Sequence, residues 1–481
     1  ESKRPSYLIN RVKQVFPKLV VEKEESDTSY EKIMGSDKGK SYLISHLADG
    51  TYAKDVIWWE IASHYEKKTP GILKDLLRIR EKRAGNNSLK KEAAKRLFGD
   101  VLYGSVTRFE QYVQCPFAFF SHYGLLLNER QQYEISSLDH GNLFHQAMEH
   151  LSHELEQRNK NWQDLSEEEA VLLAAECVDA VAERYQGRKY FQSNRVSFML
   201  KRLKNEVVHS VWAMWHQMQE GDFVQTYTEK GFRGNDKEWE SMCIPFDEDA
   251  KICLNGVIDR VDLCSLPGEE LIKVIDYKSS DSQDLSLAKV YYGLQMQLLT
   301  YLEAAKEMVE KEHKGKEAVP AAMLYYAIKE KNLDWKPESE EEYEKRVLDS
   351  MKCKGYVNEE PEIIGHLDKS VVNGGELIPG QKSGVVPVAV DKKGLLKKNS
   401  GALSTKDFET LIAHTKEKMK ECGKAILDGK IEAIPYVYED NDGCTYCPYG
   451  SVCGHESKKD GVREMKKMSD DEVWEALYGD D

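Results

Sequence analysis

The chain of 481 residues contains only ten cysteines and lacks any long uninterrupted apolar run. Ten cysteines are too few for a fold built on disulfides, and some lie singly among apolar neighbours, as Cys177 and Cys253 do. The longest nearly apolar stretch, residues 171–182, is interrupted by Glu176 and Asp179. A membrane-spanning helix needs about 20 apolar residues. The sequence therefore predicts no membrane span.

Basic residues are fewer than acidic ones: the chain has 68 Lys and Arg and 83 Asp and Glu, which gives a formal net charge of −15. Phosphate contacts need clustered Lys and Arg, so this balance excludes nonspecific nucleic-acid binding over the whole surface. It leaves room for a local basic channel. The first residues, ESKRPSYLIN, have no initiator Met and no apolar signal core, and we expect a fragment of a longer cytoplasmic polypeptide.

The remaining composition is that of an ordinary globular protein, with 41% hydrophobic and 10% aromatic residues. At roughly 100 to 200 residues per domain, two to four domains are expected. Apolar periodicity predicts polar helices in residues 1–100 and long helices between 141 and 219. Runs rich in β-branched and aromatic residues predict strands. They cover residues 223–230, 241–246, 251–264, 271–279 and 321–328.

Two carboxylates are predicted to face each other across a β-hairpin. The runs NGVIDRVD and VIDYKSS are separated by a turn signal, and a turn centred on Pro267 and Gly268 pairs Asp259 with Asp276. Directly opposed side chains lie about 4.5–5.5 Å apart at Cβ, close enough to share one divalent cation. The alternative is a cross-strand charge cluster on a solvated face. Apolar flanks on both strands favour a buried, functional pair.

Other side chains are placed beside this pair by strand and helix periodicity. Lys278 lies on the same strand face as Asp276, where its ammonium can orient a water or offset phosphate charge. Gln297 and Tyr301 are four residues apart and share one helix face, whereas Gln295 has Leu299 at the equivalent spacing. His145 lies early in a predicted helix and is a weak signal alone, because a lone helical histidine is usually a surface or packing residue.

A cysteine cluster closes the C-terminal part of the chain. Cys444, Cys447 and Cys453 have the spacing C-x2-C-x5-C, typical of a metal or cluster site rather than of core cysteines. A fourth ligand is required, and Cys115 or His455 can supply it. Structural zinc usually takes a second C-x2-C pair, which is missing, so we favour an iron–sulfur cluster with Cys115 over zinc.

Six motifs, in order, carry a family resemblance over residues 101–457. They are SVTRFEQYVQCPFAFF, GNLFHQAME, GVIDRVD, IDYKSS, QLLTY and CTYCPYGSVC. In this order they resemble the nuclease region of the AddB family of helicase–nuclease subunits, a RecB-like branch of the PD-(D/E)xK nucleases. The resemblance implies an α/β fold, a mixed central sheet flanked by helices, joined by an iron–sulfur cluster and preceded by a helical segment.

The same resemblance implies roles for particular residues. It implies His145, Asp259 and Asp276 as Mg²⁺ ligands, Lys278 as the catalytic lysine, Gln297 and Tyr301 as an accessory motif, and Cys115, Cys444, Cys447 and Cys453 as ligands of a structural 4Fe-4S cluster. Residues 1–100 would be the end of an inactivated helicase-like portion, 101–457 the nuclease domain, and 458–481 an acidic tail.

The implied function is that of a Mg²⁺-dependent DNA exonuclease. The family works with an AddA-type subunit, which supplies the ATP-driven helicase and a second nuclease, in resecting double-strand breaks for recombination. Its own nuclease cuts the 5′-terminated strand. Two other readings remain open: a cluster-stabilised DNA-binding or scaffolding module without nuclease activity, and a Cas4-like nuclease that acts alone.

Overall fold

The computed structural model describes most of the chain in separate ranges. These are residues 7–18, 36–49, 55–83, 88–128, 137–186, 194–233, 239–279, 284–328, 333, 336–337, 339–455 and 460–479. The chain divides into two compact units, Glu1–Gly85 and Asn86–Asp481. Within the described ranges, no helix combines the length and the apolar character needed to cross a membrane.

The first unit is helical where it is described, as its sequence predicts. Its helices are α1 (Tyr7–Val15), α2 (Ser36–Asp49), α3 (Val56–Lys68) and α4 (Ile72–Arg83). Asp55 caps α3 by accepting hydrogen bonds from the backbone N–H groups of Ile57 and Trp58. The Trp58 indole is buried and donates to the carbonyl of Leu43 at 2.9 Å. This small core holds α2 and α3 together.

The second unit alternates groups of helices and strands. Its helices are α5 (Lys91–Phe98), α6 (Val106–Gln114), α7 (Pro116–Phe119), α8 (Ser137–Gln157), α9 (Glu167–Gln186), α10 (Asn194–Gln219), α11 (Leu287–Tyr291), α12 (Gln297–Glu312), α13 (Glu340–Ser350), α14 (Pro361–Leu367), α15 (Thr405–Leu427), α16 (Gly450–Cys453) and α17 (Asp470–Tyr478). A π-helical turn, Phe120–Gly124, follows α7 directly, and 3-10 turns lie at Trp162–Asp164 and Lys369–Val371.

The strands form one large mixed sheet and several small ones. They are β1 (Val101–Gly104), β2 (Val224–Phe232), β3 (Met242–Pro245), β4 (Lys251–Leu254), β5 (Gly256–Ser265), β6 (Glu269–Lys278), β7 (Glu317–Ala327), β8 (Lys354–Asn358), β9 (Val372–Asn373), β10 (Glu376–Leu377), β11 (Ala402–Leu403), β12 (Tyr436–Tyr438), β13 (Asn441–Asp442) and β14 (Arg463–Glu464). In the described part, the large sheet has the order β11-β8-β7-β6-β5-β2. Its β6–β7 and β11–β8 pairs are parallel and the others antiparallel.

Alternate residues of β6 enter two different cores, one on each face of this sheet. Ile272 and Val274 pack into the core that contains α12 and α15, whereas Leu271 and Ile275 pack into the core that contains α8, α9 and α10. This alternation is what a strand buried on both faces requires. The predicted architecture, a mixed sheet flanked by helices, is confirmed.

The β5–β6 hairpin has the register that the turn signal predicts. Its ladder runs from Ser265 opposite Glu270 to Arg260 opposite Ile275, and the next step places Asp259 opposite Asp276. Gly268 in the turn has φ +89°, a conformation that glycine adopts without steric cost. The turn therefore fixes which side chains share a face, because a slip of one residue would invert them all.

The compact unit that contains the expected nuclease region extends beyond that region at both ends, and the limits 101–457 stay a prediction. The second compact unit starts at Asn86, before the expected residue 101, because α5 packs on α15 and Leu89 hydrogen-bonds with Gly429. The expected acidic tail contains α17, whose Val473 is fully buried in the main core. The first two acidic residues of this helix are exposed, whereas its apolar side packs into the core.

A disulfide joins two cysteines whose pairing no sequence pattern indicates. Cys243 and Cys253 are directly opposed on β3 and β4, and they form a bond across the two strands. Cys253 is buried, as its apolar neighbours suggested, but it is not a lone core cysteine. The bond depends on the β3–β4 register, which the spacing of the two cysteines does not reveal.

Replacing the buried side chain of α17 tests whether this helix is part of the folded core. We expect Val473→Ala to lower the free energy of unfolding by about 2 kcal/mol, because it removes buried methyl groups and leaves a cavity. Denaturant unfolding measures this loss. The control Leu172→Ala alters a side chain that is 62% exposed and should change stability little. Equal stability of both variants would place α17 outside the core.

Candidate active site

Acidic side chains from three neighbouring strands meet at one end of the large sheet. Asp259 on β5 lies opposite Asp276 on β6, as described above. On the other side, β2 pairs with β5 so that Thr228 faces Arg260 and Lys230 faces Ile258, which places Glu229 beside Asp259. Asp259 and Asp276 are almost fully buried. The sheet therefore aligns a row of carboxylates across β2, β5 and β6.

Helix α8 adds a histidine to this row. The Nδ1 atom of His145 lies 2.8 Å from a carboxylate oxygen of Glu229 and 3.6 Å from one of Asp259. Its neighbour Phe144 is fully buried in the core that contains α8, α9 and α10, and this packing anchors the GNLFH segment. His145 is thus held at the sheet end rather than used for packing alone.

The charges of the row shift the ionisation of its members strongly. Burial, together with the charge of Asp276, raises the pKa of Asp259 well above its usual value. Burial also raises the pKa of Asp276, although Lys278 opposes this shift. For His145, burial lowers the pKa, but the hydrogen bond to Glu229 and the charges of Asp259 and its neighbours outweigh it and raise the pKa to about 8. Such mutual perturbation is typical of functional sites.

The remaining predicted residues form a connected hydrogen-bond network around Asp276. Lys278 Nζ lies 2.5 Å from Asp276 Oδ2 and donates to Gln297 Oε1 at 3.0 Å. The Gln297 amide donates to Asp276 Oδ1 at 3.0 Å and to the Tyr301 hydroxyl at 2.9 Å. Gln295 instead bonds the backbone of Ser286 and Asp284, away from this network. The structure thus brings Gln297, and not Gln295, to the carboxylates.

Glu229 is the site residue that sequence reasoning missed. The run FVQTYTEK predicts a strand, but nothing in it specifies pairing with β5, and the register shifts between Gln225 and Tyr227. Glu229 itself has φ +46°, an uncommon conformation for a residue with a side chain. Only this register and local backbone bring its carboxylate to His145. An acidic residue in a strand was the sole available signal.

The donor set fits a divalent metal ion. Ligand atoms of His145, Glu229 and Asp259 all lie within 4.8 Å of one another, and Asp276 stands next to Asp259 on the adjoining strand. Carboxylate oxygens are the ligands that Mg²⁺ prefers. A cation here would also relieve the repulsion that raises the carboxylate pKa values. His145, Glu229, Asp259 and Asp276 are therefore the residues that could hold it.

The predicted cluster cysteines come together from distant parts of the chain. Cys115 follows α6 and packs with Cys447 in a small core with Tyr449 and Ala118. Burial, Asp442 and the other three thiols raise the pKa of Cys444 to about 11. All four cysteines are free of disulfides. Four neighbouring thiols are the ligand set of a 4Fe-4S cluster, so these residues fit that group.

Side-chain hydrogen bonds also join the segment around Cys115 to the C-terminal segment that contains Cys444, Cys447 and Cys453. The Tyr449 hydroxyl donates to the carbonyl of Leu127 at 3.1 Å and lies 2.7 Å from His122 Nδ1. The Arg463 guanidinium donates to the carbonyls of Val113 and Gln114 at the end of α6. The two segments therefore meet through these side chains as well as through the thiols.

Residues 104–454 match the family model described as the PD-(D/E)XK nuclease superfamily. This range holds all the site residues and the four cysteines. The paired aspartates, the lysine that follows them and the large mixed sheet that carries them also lie within this range. The chain belongs to the PD-(D/E)XK nuclease superfamily.

Curated relatives extend the similarity over the whole chain. It is 33% identical, over its full length, to the B-type subunit of the ATP-dependent helicase/deoxyribonuclease of Lachnoclostridium phytofermentans, and 31% identical over 99% of its length to the protein of that name in Clostridium perfringens. A relative of the same name in Alkaliphilus oremlandii is 28% identical over 99%. The chain spans about two fifths of these relatives, 41 to 42% of their length.

Metal binding at the carboxylate row should appear as a gain in stability. We expect Mg²⁺ to raise the melting temperature of the protein, because the ion binds the folded state and neutralises buried repulsion. Asp259→Asn should abolish this gain. Without metal, the variant should melt above the parent at pH 8, because folding raises the pKa of the carboxyl group that the substitution makes permanently neutral.

The matched control is Asp247→Asn, which alters an exposed aspartate outside the row. It should retain the full response to Mg²⁺. A Mg²⁺ response that survives in Asp259→Asn, measured by thermal unfolding with and without a chelator, would place the metal elsewhere.

Proposed function

We propose that this chain is the Mg²⁺-dependent DNA exonuclease domain of a heterodimeric helicase–nuclease. The observation that carries the proposal is the convergence of His145, Glu229 and Asp259 beside the Asp276–Lys278 pair at one sheet end. Hydrolysis of a phosphodiester needs oxygen ligands for a metal and a nearby cation for the charged transition state. This site supplies both.

The carboxylates and His145 would hold the Mg²⁺, which when bound supplies an activated water and offsets phosphate charge. His145 must give up its proton to become a ligand, and Glu229, within hydrogen-bond distance, is placed to fix the orientation of the ring. Asp259 is oriented by the backbone N–H of Tyr277, which donates to its Oδ2 at 2.7 Å. These contacts preorganise the ligands before DNA arrives.

Lys278 is the cation of the proposed reaction. Its ammonium is restrained by Asp276 and Gln297, so it can stabilise negative charge on the phosphate without reorganising. Gln297 contacts both members of the Asp276–Lys278 pair and is itself bonded to Tyr301. The glutamine thus bridges the lysine and the carboxylate and restrains both side chains.

The names of the relatives couple deoxyribonuclease activity to an ATP-dependent helicase and describe a subunit. We propose that this chain likewise works with an AddA-type partner that hydrolyses ATP and unwinds DNA ends. The complex would resect double-strand breaks for recombinational repair, and this site would cut the 5′-terminated strand. The helices before residue 101 would be the end of an inactivated helicase-like portion, and the four neighbouring cysteines would hold a structural 4Fe-4S cluster.

Removal of one carboxylate tests the nuclease assignment. Asp276→Ala should abolish cleavage of the 5′-terminated strand of end-labelled duplex DNA, because it removes a metal ligand and releases Lys278. Binding of the same DNA should persist. The assay uses the complete subunit assembled with its helicase partner, and it requires ATP and Mg²⁺.

The control Asp247→Ala, an exposed aspartate outside the site, should cleave at the parental rate. Unchanged cleavage by Asp276→Ala would sink the assignment and favour the alternative, a DNA-binding or scaffolding module. Loss confined to the 3′-terminated strand would contradict the proposed polarity alone.

Replacement of one thiol tests the cluster. We expect Cys447→Ser to lower iron and acid-labile sulfide from about four each per chain towards zero, because a cubane needs four thiolate ligands. Elemental analysis of anaerobically purified protein makes the measurement. Cys177→Ala, which alters a buried cysteine in a different core, should retain the iron. Zinc in place of iron in the parent would refute a 4Fe-4S cluster.

A further inference from the structure

Helix α12, which carries Gln297 and Tyr301, begins without a capping side chain of its own. Its N-cap residue is Met296, which makes no side-chain capping bond. The first N–H groups of a helix have no partner within the helix and need an acceptor from elsewhere. A carboxylate at this end is favoured by the helix dipole as well. The acceptor here comes from a different part of the chain.

Glu110 on α6 provides that acceptor. Its Oε1 accepts a hydrogen bond from the backbone N–H of Met296 at 2.6 Å. The backbone N–H of Gln297 also hydrogen-bonds to this carboxylate. Burial raises the pKa of Glu110 to about 7, although these two N–H groups and the nearby charge of Lys278 lower it. The carboxyl group thus lies under the start of α12 and close to the active-site lysine.

The position of Glu110 is fixed by its own helix. Phe109 is fully buried in the main core, and Val113, one turn further along, is also buried there. Residues on both sides of Glu110 therefore anchor α6, and a bond from Glu110 sets the position of the first turn of α12. Gln297 lies in that turn, and its side chain bonds Asp276 and Lys278.

We propose that Glu110 is a positioning residue for the phosphodiester hydrolysis proposed above, acting through the backbone of Gln297. It does not touch the reacting atoms. Its carboxyl group fixes where α12 starts, and the start of α12 fixes the amide that bonds both Asp276 and Lys278. Because a displacement of about 1 Å at a reacting centre can cost on the order of 100-fold in rate, this capping bond matters to turnover.

The inference rests on the proposed nuclease function and is tested with kinetics on DNA ends, in the complete subunit with its helicase partner. We expect Glu110→Ala to lower kcat about 10- to 100-fold while KM for DNA changes less than about 3-fold. Glu110→Gln should stay close to the parental rate, because its amide oxygen accepts the same hydrogen bond. Rescue by this variant separates hydrogen bonding from charge.

A double-mutant cycle identifies the route of the effect. Because Glu110 acts through Gln297, the double variant Glu110→Ala/Gln297→Ala should lose no more activity than Gln297→Ala alone. Losses that multiply would overturn the proposal. If Glu110→Ala does not fold, Glu110→Asp, whose shorter side chain cannot reach Met296 N–H as well, replaces it in the same cycle.

The control is Ser404→Ala, which removes the N-cap of α15, a helix that carries no site residue. It should lower the melting temperature without changing kcat. A kcat for Glu110→Ala that equals that of Ser404→Ala would overturn the positioning role. A parent protein that cleaves no DNA would instead refute the nuclease function, so the two failures are distinguishable.

Discussion

The repulsion among buried carboxylates on β2, β5 and β6 is the constraint on which the rest of the site depends. Asp259 and Asp276 face each other, burial raises the pKa of both, and the charge of Asp276 raises the pKa of Asp259 further. Two like charges in such surroundings are stable only with a cation between them or with protons bound.

On the opposite face of the same hairpin, a buried carboxylate is neutralised by cationic side chains of the protein itself. Asp262 is fully buried, and its two carboxylate oxygens accept hydrogen bonds from Nε and Nη2 of Arg260 at 2.6 and 2.9 Å. The Nζ atom of Lys273 lies 2.8 Å from Oδ2 of Asp262. The charge of Arg260 and that of Lys273 lower the pKa of Asp262 against the effect of burial. Asp262 is neutralised within the protein, whereas the pKa values of Asp259 and Asp276 stay raised although cationic side chains lie close by. One face of β5 thus carries a carboxylate that the protein neutralises, and the other carries a carboxylate whose pKa stays raised.

The β5–β6 hairpin could be predicted from the sequence because its register depends on residues that are close together in the chain. A turn at Pro267 and Gly268 fixes the register of two adjacent strands, and strand alternation then places Lys278 relative to Asp276. Helix periodicity similarly joined Gln297 to Tyr301. The position of Cys115 beside Cys447 followed from counting ligands, and the roles of these residues came from a family resemblance. Fold class and the central aspartates were therefore within reach of the sequence.

What the sequence could not supply depends on contacts between distant segments. Glu229 reaches His145 only through the β2–β5 register and a backbone with positive φ. The Cys243–Cys253 bond requires the β3–β4 register, and the packing of α17 requires the core that receives Val473. None of these has a local pattern, because the energy that selects each register is spread over a whole core.

One short helix connects the two specialised regions of the nuclease unit. Cys115 directly follows helix α6, and five residues earlier the helix carries Glu110, whose carboxyl group holds the first turn of α12. Arg463 binds the carbonyls at the end of the same helix. Movement of Cys115 would therefore be transmitted along α6 to Glu110, and from there to Gln297 and the Asp276–Lys278 pair. The cysteine region and the carboxylate row are thus linked through α6, although they lie in different segments of the sequence.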